Sequence, residues 1–385
     1  MALRARLLPA FRLLYRAPRH SPAPVAKSSR RRRTPRQAMI ACASGVAVYL
    51  ILHAAMVGLF RSGTMLGDPV FDRRAAGLEK RLKKYATPDG KCIVLFGTSR
   101  MQCGMMGDVI EEELRDKAGV NAVVFNFSRP GTGPVAYHLQ LRRLLERGIK
   151  PEHVVVEVFL PLLQRTPEGP LFESKVLASF RLRRNECELA ERYGIDADVL
   201  HRDRKAVETN PWQNLREPIF ERLDPRLLPD GAVLKYCRLF DRTGGNPVDF
   251  SEQWLPRIVE CNAVADQHYR GMLSGSGIAP EARRALEEFV ALCAEHRIGV
   301  TLVAMPENAT FRGMYPAENR LAVRQLMDHL CRIAPAHVVD AESWLDDERY
   351  IDGHHLFRAG AERFTRRLCE DHLIPALTAG SGNTH

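Results

Sequence analysis

A serine that follows a predicted strand is the first candidate for chemistry in this sequence. Residues 91–97, KCIVLFG, form a short apolar run that leads directly into Thr98, Ser99 and Arg100. A serine at a strand-to-helix turn presents its hydroxyl at the carboxyl edge of a sheet, and the N–H groups at the start of the next helix can stabilise a developing oxyanion. Ser99 is therefore a candidate nucleophile. The structural alternative, which these residues taken alone favour, is that Ser99 is the N-cap of that helix.

An acid–base pair near the end of the sequence is the second candidate. Asp352 precedes His355 by three residues, in the order Asp-Gly-His-His. This spacing lets a carboxylate hold the imidazole Nδ1–H and leaves Nε2 facing a nucleophile. His354 is a rival for the base, and Asp340, which ends a predicted strand, is a rival for the acid. No metal is predicted at the adjacent histidines, because no further ligand cluster accompanies them.

Alternating apolar runs and amphipathic segments predict the elements that position these residues. The runs are typical of buried strands and cover 91–97, 121–127, 153–160, 299–306 and 337–341. The predicted helices cover 70–86, 104–117, 134–148, 281–297, 317–333 and 357–372. The pattern predicts a three-layer α/β core with a five-stranded parallel sheet. Parallel strands bring their carboxyl ends to one edge, so Ser99 after the first strand can meet Asp352 and His355 after the last.

The alternation stops between the third and fourth predicted strands. Residues 164–277 contain scattered prolines, two tryptophans and many charges, and they are too long for a simple loop. We interpret them as a mostly helical insertion, either a lid over the ligand crevice or a structural decoration. The complete predicted division is a tail over 1–37, a membrane helix over 38–60, a linker helix over 61–87, a core over 88–163 and 278–378, the insertion, and a tail over 379–385.

An uncharged apolar segment near the N-terminus predicts a membrane anchor. Residues 38–60 are 23 residues without a charge, and a helix of that length spans roughly 30 Å of hydrocarbon. Residues 1–37 carry eleven Lys or Arg and no Asp or Glu. Because basic excess marks the cytoplasmic side, we expect a cytoplasmic N-terminus and an extracytoplasmic domain over 61–385, periplasmic in a bacterium. A mitochondrial transit peptide is the alternative.

The charge and the cysteines exclude several classes of protein. The chain has a net charge of +10, but residues 38–385 without the basic tail have a net charge of −1. This distribution argues against a globular nucleic-acid binder. The nine cysteines form no C-x-x-C pair and no Cys/His cluster at zinc spacing, and we expect no cofactor. A nucleotide-binding domain ranks last because the sequence after the first strand is neither G-x-G-x-x-G nor a P-loop.

Three short motifs resemble the dispersed motifs of the SGNH/GDSL hydrolase superfamily. They are LFGTSRMQCGM over 95–105, NFSRPGTG over 126–133 and DGHHLFRAGAERF over 352–364. The resemblance implies a flavodoxin-like sheet of strand order 2-1-3-4-5. It also implies that Ser99 is the nucleophile, His355 the general base and Asp352 its orienting carboxylate. The backbone N–H groups of Ser99 and Gly131 would form the oxyanion hole.

One departure from the family concerns the end of the third predicted strand. The family often has an Asn donor there, whereas this sequence reads VFLPLLQRTP. Losing one oxyanion donor typically costs about 3–4 kcal/mol of transition-state stabilisation. The missing Asn, the GTSR block and the single predicted span make the chain most similar to the membrane-anchored branch that contains the teichoic-acid D-alanylation protein and alginate O-acetyltransferases.

The resemblance therefore implies a serine esterase or O-acyltransferase. Its expected substrates are acyl esters, with acetyl as the expected group, of cell-envelope carbohydrate, and a membrane acyl donor is a further expected partner. The alternative is a catalytically silent binding or scaffold subunit of a membrane-bound modification complex.

Charged residues in and beside the motifs have two interpretations each. Arg100, Arg129 and Arg358 are expected to attract an anionic substrate, with solvated surface roles as the alternative. Glu157 interrupts an apolar strand. It is either an active-site carboxylate or the partner of an Arg or Lys at the edge of the sheet.

Overall fold

A computed structural model describes residues 34–62, 68–166, 169–175, 177, 181–215, 219–220, 240–273 and 277–378. The chain divides into two compact units, and the boundary between them falls after Leu52, within the first helix. The predicted tails lie outside the described residues, apart from residues 34–37 at the end of the basic one.

Five parallel strands form one sheet. They are β1 (Lys91–Phe96), β2 (Ala122–Asn126), β3 (His153–Glu157), β4 (Gly299–Ala304) and β5 (Ala336–Asp340). Their order is β2-β1-β3-β4-β5, which is the order that the resemblance implies. The predicted α/β class with a five-stranded parallel sheet is confirmed. Several strands end earlier than predicted, β3 at Glu157 for example, because the chain turns there into the loops at the carboxyl edge.

Helices precede the sheet, cover both of its faces and occur in the described part of the insertion. Before β4 they are α1 (Pro35–Ser62), α2 (Pro69–Tyr85), α3 (Ser99–Gly104), α4 (Gly107–Ala118), α5 (Pro134–Glu146), α6 (Leu160–Leu163), α7 (Arg184–Arg192), α8 (Ala197–Thr209), α9 (Pro211–Asn214), α10 (Leu255–Leu273) and α11 (Pro280–Glu295). After β4 they are α12 (Ala309–Arg312), α13 (Ala317–Ile333), α14 (Arg358–Leu368) and α15 (Ile374–Thr378). Single 3₁₀ turns lie at Phe172–Lys175, Glu252–Trp254 and Asp347–Arg349, and a π turn at Cys369–Leu373 joins the last two helices.

The alternation of side chains along the strands builds a separate core on each face of the sheet. In β1, Val94 and Phe96 point into the core that contains residues of α2, α5, α11 and α13. Ile93 and Leu95 point into the opposite core, with residues of α4 and α14. This arrangement follows from the two-residue period of a strand, and it explains why the strand sequences are apolar without a break.

The helix predicted over 104–117 is α4, which begins later, at Gly107, and it is preceded by a short helix that was not predicted, α3. Met105 and Met106 are extended between α3 and α4, and both side chains are buried in the core beside α14. The Met106 N–H donates to the Thr365 hydroxyl at 3.2 Å instead of continuing a helix. The break keeps α3 a short element whose first residue is Ser99.

Residues 240–250 connect the insertion to the carboxyl edge of the sheet. The Asn126 N–H donates to the Thr243 carbonyl at 2.7 Å, and the Asn246 N–H donates to the Gln102 carbonyl at 2.8 Å. The Arg358 N–H donates to Val248 O at 2.7 Å. The insertion is therefore hydrogen-bonded to the end of β2, to α3 and to the start of α14.

The first helix is long and apolar enough to cross a membrane. It has 28 residues, from Pro35 to Ser62, and an 18-residue window within it has a mean hydropathy of 2.0 with no buried residue. The helix extends beyond the predicted bounds of 38–60. In its last turns, Phe60 packs with Val207 and Leu215 of the insertion.

Candidate active site

The turn after β1 places Ser99 as the first residue of α3. Thr98 is the N-cap, and its Oγ1 accepts the Arg100 N–H at 3.0 Å. The structure thus excludes Ser99 as the cap and leaves its hydroxyl available to other partners. Gly97 is required at this turn because a Cβ there would lie 2.6 Å from Met101 Cβ and 2.8 Å from a Glu157 carboxylate oxygen.

Ser99, His355 and Asp352 form one hydrogen-bonded chain. Ser99 Oγ lies 2.7 Å from His355 Nε2, and His355 Nδ1 lies 2.7 Å from Asp352 Oδ2. The second Asp352 oxygen accepts the His355 backbone N–H at 2.9 Å. The turn between them passes through Gly353 at φ +86°, a conformation that favours glycine. The two side chains are 18–20% exposed, so a small molecule can reach this chain of three residues.

The hydrogen bonds of the pair fix the tautomer of His355. Burial opposes the charge of Asp352, but His355 and His354 outweigh it and hold the pKa of Asp352 well below its usual range. The ionised carboxylate accepts a proton-bearing Nδ1, so Nε2 carries the lone pair and accepts from the Ser99 hydroxyl. This is the arrangement that a general base requires.

Neither rival residue takes the place of His355 or Asp352 in the chain, although His354 Nδ1 lies 3.3 Å from Asp352 Oδ1. His354 is buried, and its ring stacks on Phe311 with ring centroids 4.6 Å apart. Burial and the neighbouring His355 lower its pKa well below the ordinary value. Asp340 is 41% exposed and lies 3.3 Å from Arg324 at the edge of the sheet.

Asp352, His354 and His355 also have potential metal-ligand atoms within 4.8 Å of one another. An ion bound by His355 would have to replace one of its two hydrogen bonds, to Asp352 or to Ser99, since both ring nitrogens are already in use. The three residues therefore fit the hydrogen-bonded chain better than a metal site.

The loop that contains Gly131 is attached to the serine turn. The Arg129 N–H and the Thr132 hydroxyl both donate to the Gly97 carbonyl, at 3.0 and 2.9 Å. Gly131 adopts φ +72°, which a side chain would strain. The backbone N–H groups of Ser99 and Gly131 have no acceptor within the described part of the chain, so both remain available to a ligand.

Arg100 has a different role from the expected one. It is 2% exposed, so it cannot attract a substrate from solvent. Its guanidinium lies 2.9 Å from Glu307 and 3.5 Å from Glu157, and it stacks 4.2 Å from the centroid of Phe159. Burial raises the pKa of Glu307 to about 7, although Arg100 acts in the opposite direction.

Glu157 supports the serine turn. It is the partner of an arginine, which was the second of its two interpretations. Its carboxylate accepts the Thr98 N–H at 2.6 Å as well as pairing with Arg100. The end of β3 thereby holds the residues on both sides of Ser99. Position and orientation of the serine depend on this buried contact.

Arg129 and Arg358 are also ion-paired within the protein. The Arg129 guanidinium donates to Asp68 at 2.7 Å and is 14% exposed. Arg358 donates to Asp249 at 2.5 Å. Arg129 thereby ties its loop to the start of α2, whereas the Arg358 side chain is 43% exposed and has the solvated surface role that was its alternative.

Three residues that shape the site lie outside the motifs recognised in the sequence. Tyr269 of α10 packs edge-on against His354, with ring centroids 4.8 Å apart. Asp68 pairs with Arg129, and Glu173 accepts from the start of α5. Each contact joins segments that are far apart in sequence, and none of the three lies in a recognisable motif. Asp68, as the first acid after a basic tail, was the most visible of them.

The fold and the site together define a parallel α/β protein with a Ser–His–Asp chain at the carboxyl edge of its sheet. A family described as "Protein of unknown function (DUF1574)" matches residues 69–178, less than one third of the chain. The matched range contains the serine turn and the Gly131 loop but ends before Asp352 and His355. No curated protein matches the chain.

Proposed function

We propose that the protein is a membrane-anchored serine esterase or O-acyltransferase of the SGNH/GDSL type. Its substrate would be an acyl ester, with acetyl as the expected group, of a cell-envelope carbohydrate. The observation that carries the proposal is the unbroken chain from Ser99 Oγ through His355 to Asp352, with both hydrogen bonds at 2.7 Å. The strand order and the two unpaired N–H groups at Ser99 and Gly131 support it.

The reaction would proceed through an acyl-enzyme. Ser99 Oγ attacks the ester carbonyl while His355 Nε2 takes the hydroxyl proton, and the negative charge of Asp352 stabilises the imidazolium. The N–H groups of Ser99 and Gly131 would bind the oxyanion. Collapse expels the alkoxide, which takes the proton from His355. A water or a sugar hydroxyl then attacks the acyl-enzyme by the same route, which gives hydrolysis or transfer.

The proposed location is the outer side of the membrane. Helix α1 would anchor the chain, with the basic residues 1–37 on the cytoplasmic side and the domain outside. Protease treatment of intact spheroplasts tests this topology. Digestion of the domain from outside is the expected result, and protection of the domain until the membrane is lysed would contradict it.

Labelling by a fluorophosphonate probe tests the nucleophile. The full-length protein in detergent should be labelled at Ser99, and both Ser99→Ala and His355→Ala should lose labelling. Ser251→Ala is the matched control, because Ser251 is exposed and makes no side-chain cap hydrogen bond. Undiminished labelling of Ser99→Ala would end the assignment.

A second candidate is a catalytically silent binding or scaffold subunit. The observation that favours it is the end of β3, where the buried residues Val158, Phe159 and Leu160 offer no side-chain amide for an oxyanion. The two candidates differ in covalent chemistry. Mass spectrometry after incubation with several activated acetyl and D-alanyl esters should detect an acyl group on Ser99 for the enzyme. Glycan or partner binding that survives Ser99→Ala, without any acyl-enzyme, would favour the scaffold.

A further inference from the structure

The carboxylate of Glu173 lies at the N-terminus of α5, next to the Gly131 loop. Its two oxygens accept three backbone N–H groups: Gly133 at 3.0 Å, Val135 at 2.9 Å and Ala136 at 3.1 Å. Glu173 is fully buried and belongs to the insertion, some forty residues from these partners. We propose that Glu173 is the positioning residue of the oxyanion loop, a role that rests on the proposed function of the site.

The loop is attached to neighbouring segments at three residues. Arg129 and Thr132, which flank Gly131, donate to the Gly97 carbonyl beside the serine turn. The next residue, Gly133, donates its N–H to Glu173. Because Thr132 joins Gly131 to Gly133, a movement of the start of α5 shifts Thr132 and changes where the Gly131 N–H points.

The contact is built for a side-chain carboxylate. Gly133 has no side chain, and a Cβ there would lie 3.1 Å from the Glu173 carboxyl carbon. The start of a helix carries positive partial charge and free N–H groups, which favour an anion. Burial raises the pKa of Glu173 to about 7, whereas the three N–H groups act in the opposite direction. No Lys or Arg of the described segments pairs with it, so the backbone N–H groups supply its stabilisation.

The Glu173 contact gives part of the insertion a structural role. A carboxylate from residues 164–277 reaches back to the sheet and fixes a loop that the proposed chemistry needs. Because both oxygens accept N–H groups, replacement by glutamine puts an NH₂ donor opposite at least one N–H donor. Glu173→Gln should therefore loosen the loop while it preserves the size of the side chain.

Kinetics of the full-length protein in detergent test the proposal, with p-nitrophenyl acetate as the substrate. Since a displacement of about 1 Å can cost roughly 100-fold in rate, we expect Glu173→Gln to lower kcat about 10- to 100-fold with KM changed less than threefold. Glu186→Gln is the matched control. Glu186 is a buried carboxylate of the same insertion that binds Arg143 on α5 at 2.7 Å and accepts none of the N–H groups that bind Glu173. The kcat of Glu186→Gln should stay within twofold of the wild-type value.

Hydrogen exchange over residues 129–137 separates positioning from general loosening. Exchange should be faster in Glu173→Gln than in the wild type and unchanged in Glu186→Gln. Gly133→Ala, which pushes the carboxylate away without altering charge, should repeat both effects and serves if Glu173→Gln does not fold. Unchanged kcat in a folded Glu173→Gln, or an equal loss in Glu186→Gln, would overturn the proposal.

Failure of the proposed function gives a different result. If the wild type neither hydrolyses the ester nor reacts with a fluorophosphonate, then the enzyme assignment fails. In that case, faster exchange in Glu173→Gln alone still supports the loop-positioning contact. Identical exchange in all variants overturns it.

Discussion

Replacing Asp352 with asparagine would change one atom of the site and leave its shape intact. In the wild type, Oδ1 accepts the His355 backbone N–H at 2.9 Å and Oδ2 accepts Nδ1–H at 2.7 Å. In Asp352→Asn the backbone N–H retains the oxygen, so the NH₂ group faces Nδ1. A donor at that position selects the tautomer with hydrogen on Nε2, which cannot accept the proton of Ser99.

The expected fall in kcat has two causes. His355 can no longer act as a base, and the negative charge of Asp352 is lost. The equivalent substitution in serine proteases lowers kcat about 10⁴-fold. That factor corresponds to about 5–6 kcal/mol of barrier. A carboxylate about 4 Å from an imidazolium contributes about 4 kcal/mol at an effective dielectric constant of 20, which is of the same order. We expect kcat to fall 10³- to 10⁴-fold, with KM changed less than threefold.

The assay is steady-state hydrolysis of p-nitrophenyl acetate by the full-length protein, compared with Asp340→Asn. Asp340 ends β5, and its exposed carboxylate lies 3.3 Å from Arg324, so this control should retain activity within twofold. Circular dichroism should show equal helix content in both variants. Retention of more than one tenth of kcat by Asp352→Asn, or an equal loss in Asp340→Asn, would refute the reasoning.

Two further predictions concern stability in detergent, measured as the urea midpoint of unfolding. Arg100→Leu leaves the buried carboxylates of Glu157 and Glu307 without their cation and should lower the free energy of unfolding by about 3–5 kcal/mol; a loss below 1 kcal/mol would contradict this. Burial lowers the pKa of His153 to about 4, below its unfolded value of about 6.5, so its contribution is present above pH 6.5 and is lost as the pH falls toward 4. That loss is about 3 kcal/mol. His153→Gln should remove this part of the pH dependence, and an unchanged slope between pH 7 and pH 4 would contradict the assignment.

Local patterns in the sequence were sufficient to predict the sheet and the meeting of its chemical groups. The strands are continuous apolar runs because both faces of the sheet are covered, and the order of motifs put Ser99 after β1 and Asp352 after β5. Parallel strands present all of these ends at one edge. The hydrogen-bonded chain of Ser99, His355 and Asp352 has the connectivity that this reasoning predicts.

The tertiary structure decided which of the competing local roles each residue has. Thr98, not Ser99, caps α3, because the serine hydroxyl meets His355 instead. Arg100 lies in the serine motif, yet it is buried because Glu157 and Glu307 approach it from the ends of β3 and β4. A charged residue next to a nucleophile looks the same in sequence whether it faces solvent or the core.

Contacts between residues that are far apart in sequence could be found only from the tertiary structure. Asp68 reaches Arg129 across 61 positions, and Glu173 reaches Gly133 across 40. Neither contact produces a periodicity or a fixed spacing in the sequence, because each depends on how the linker helix and the insertion pack against the sheet. The sequence by itself determined the strands, the apolar helix and the groups available for chemistry, since these depend on neighbouring residues. Only the packed chain decided which buried charges hold those groups in place, because a buried charge is stable only where the fold brings its partner.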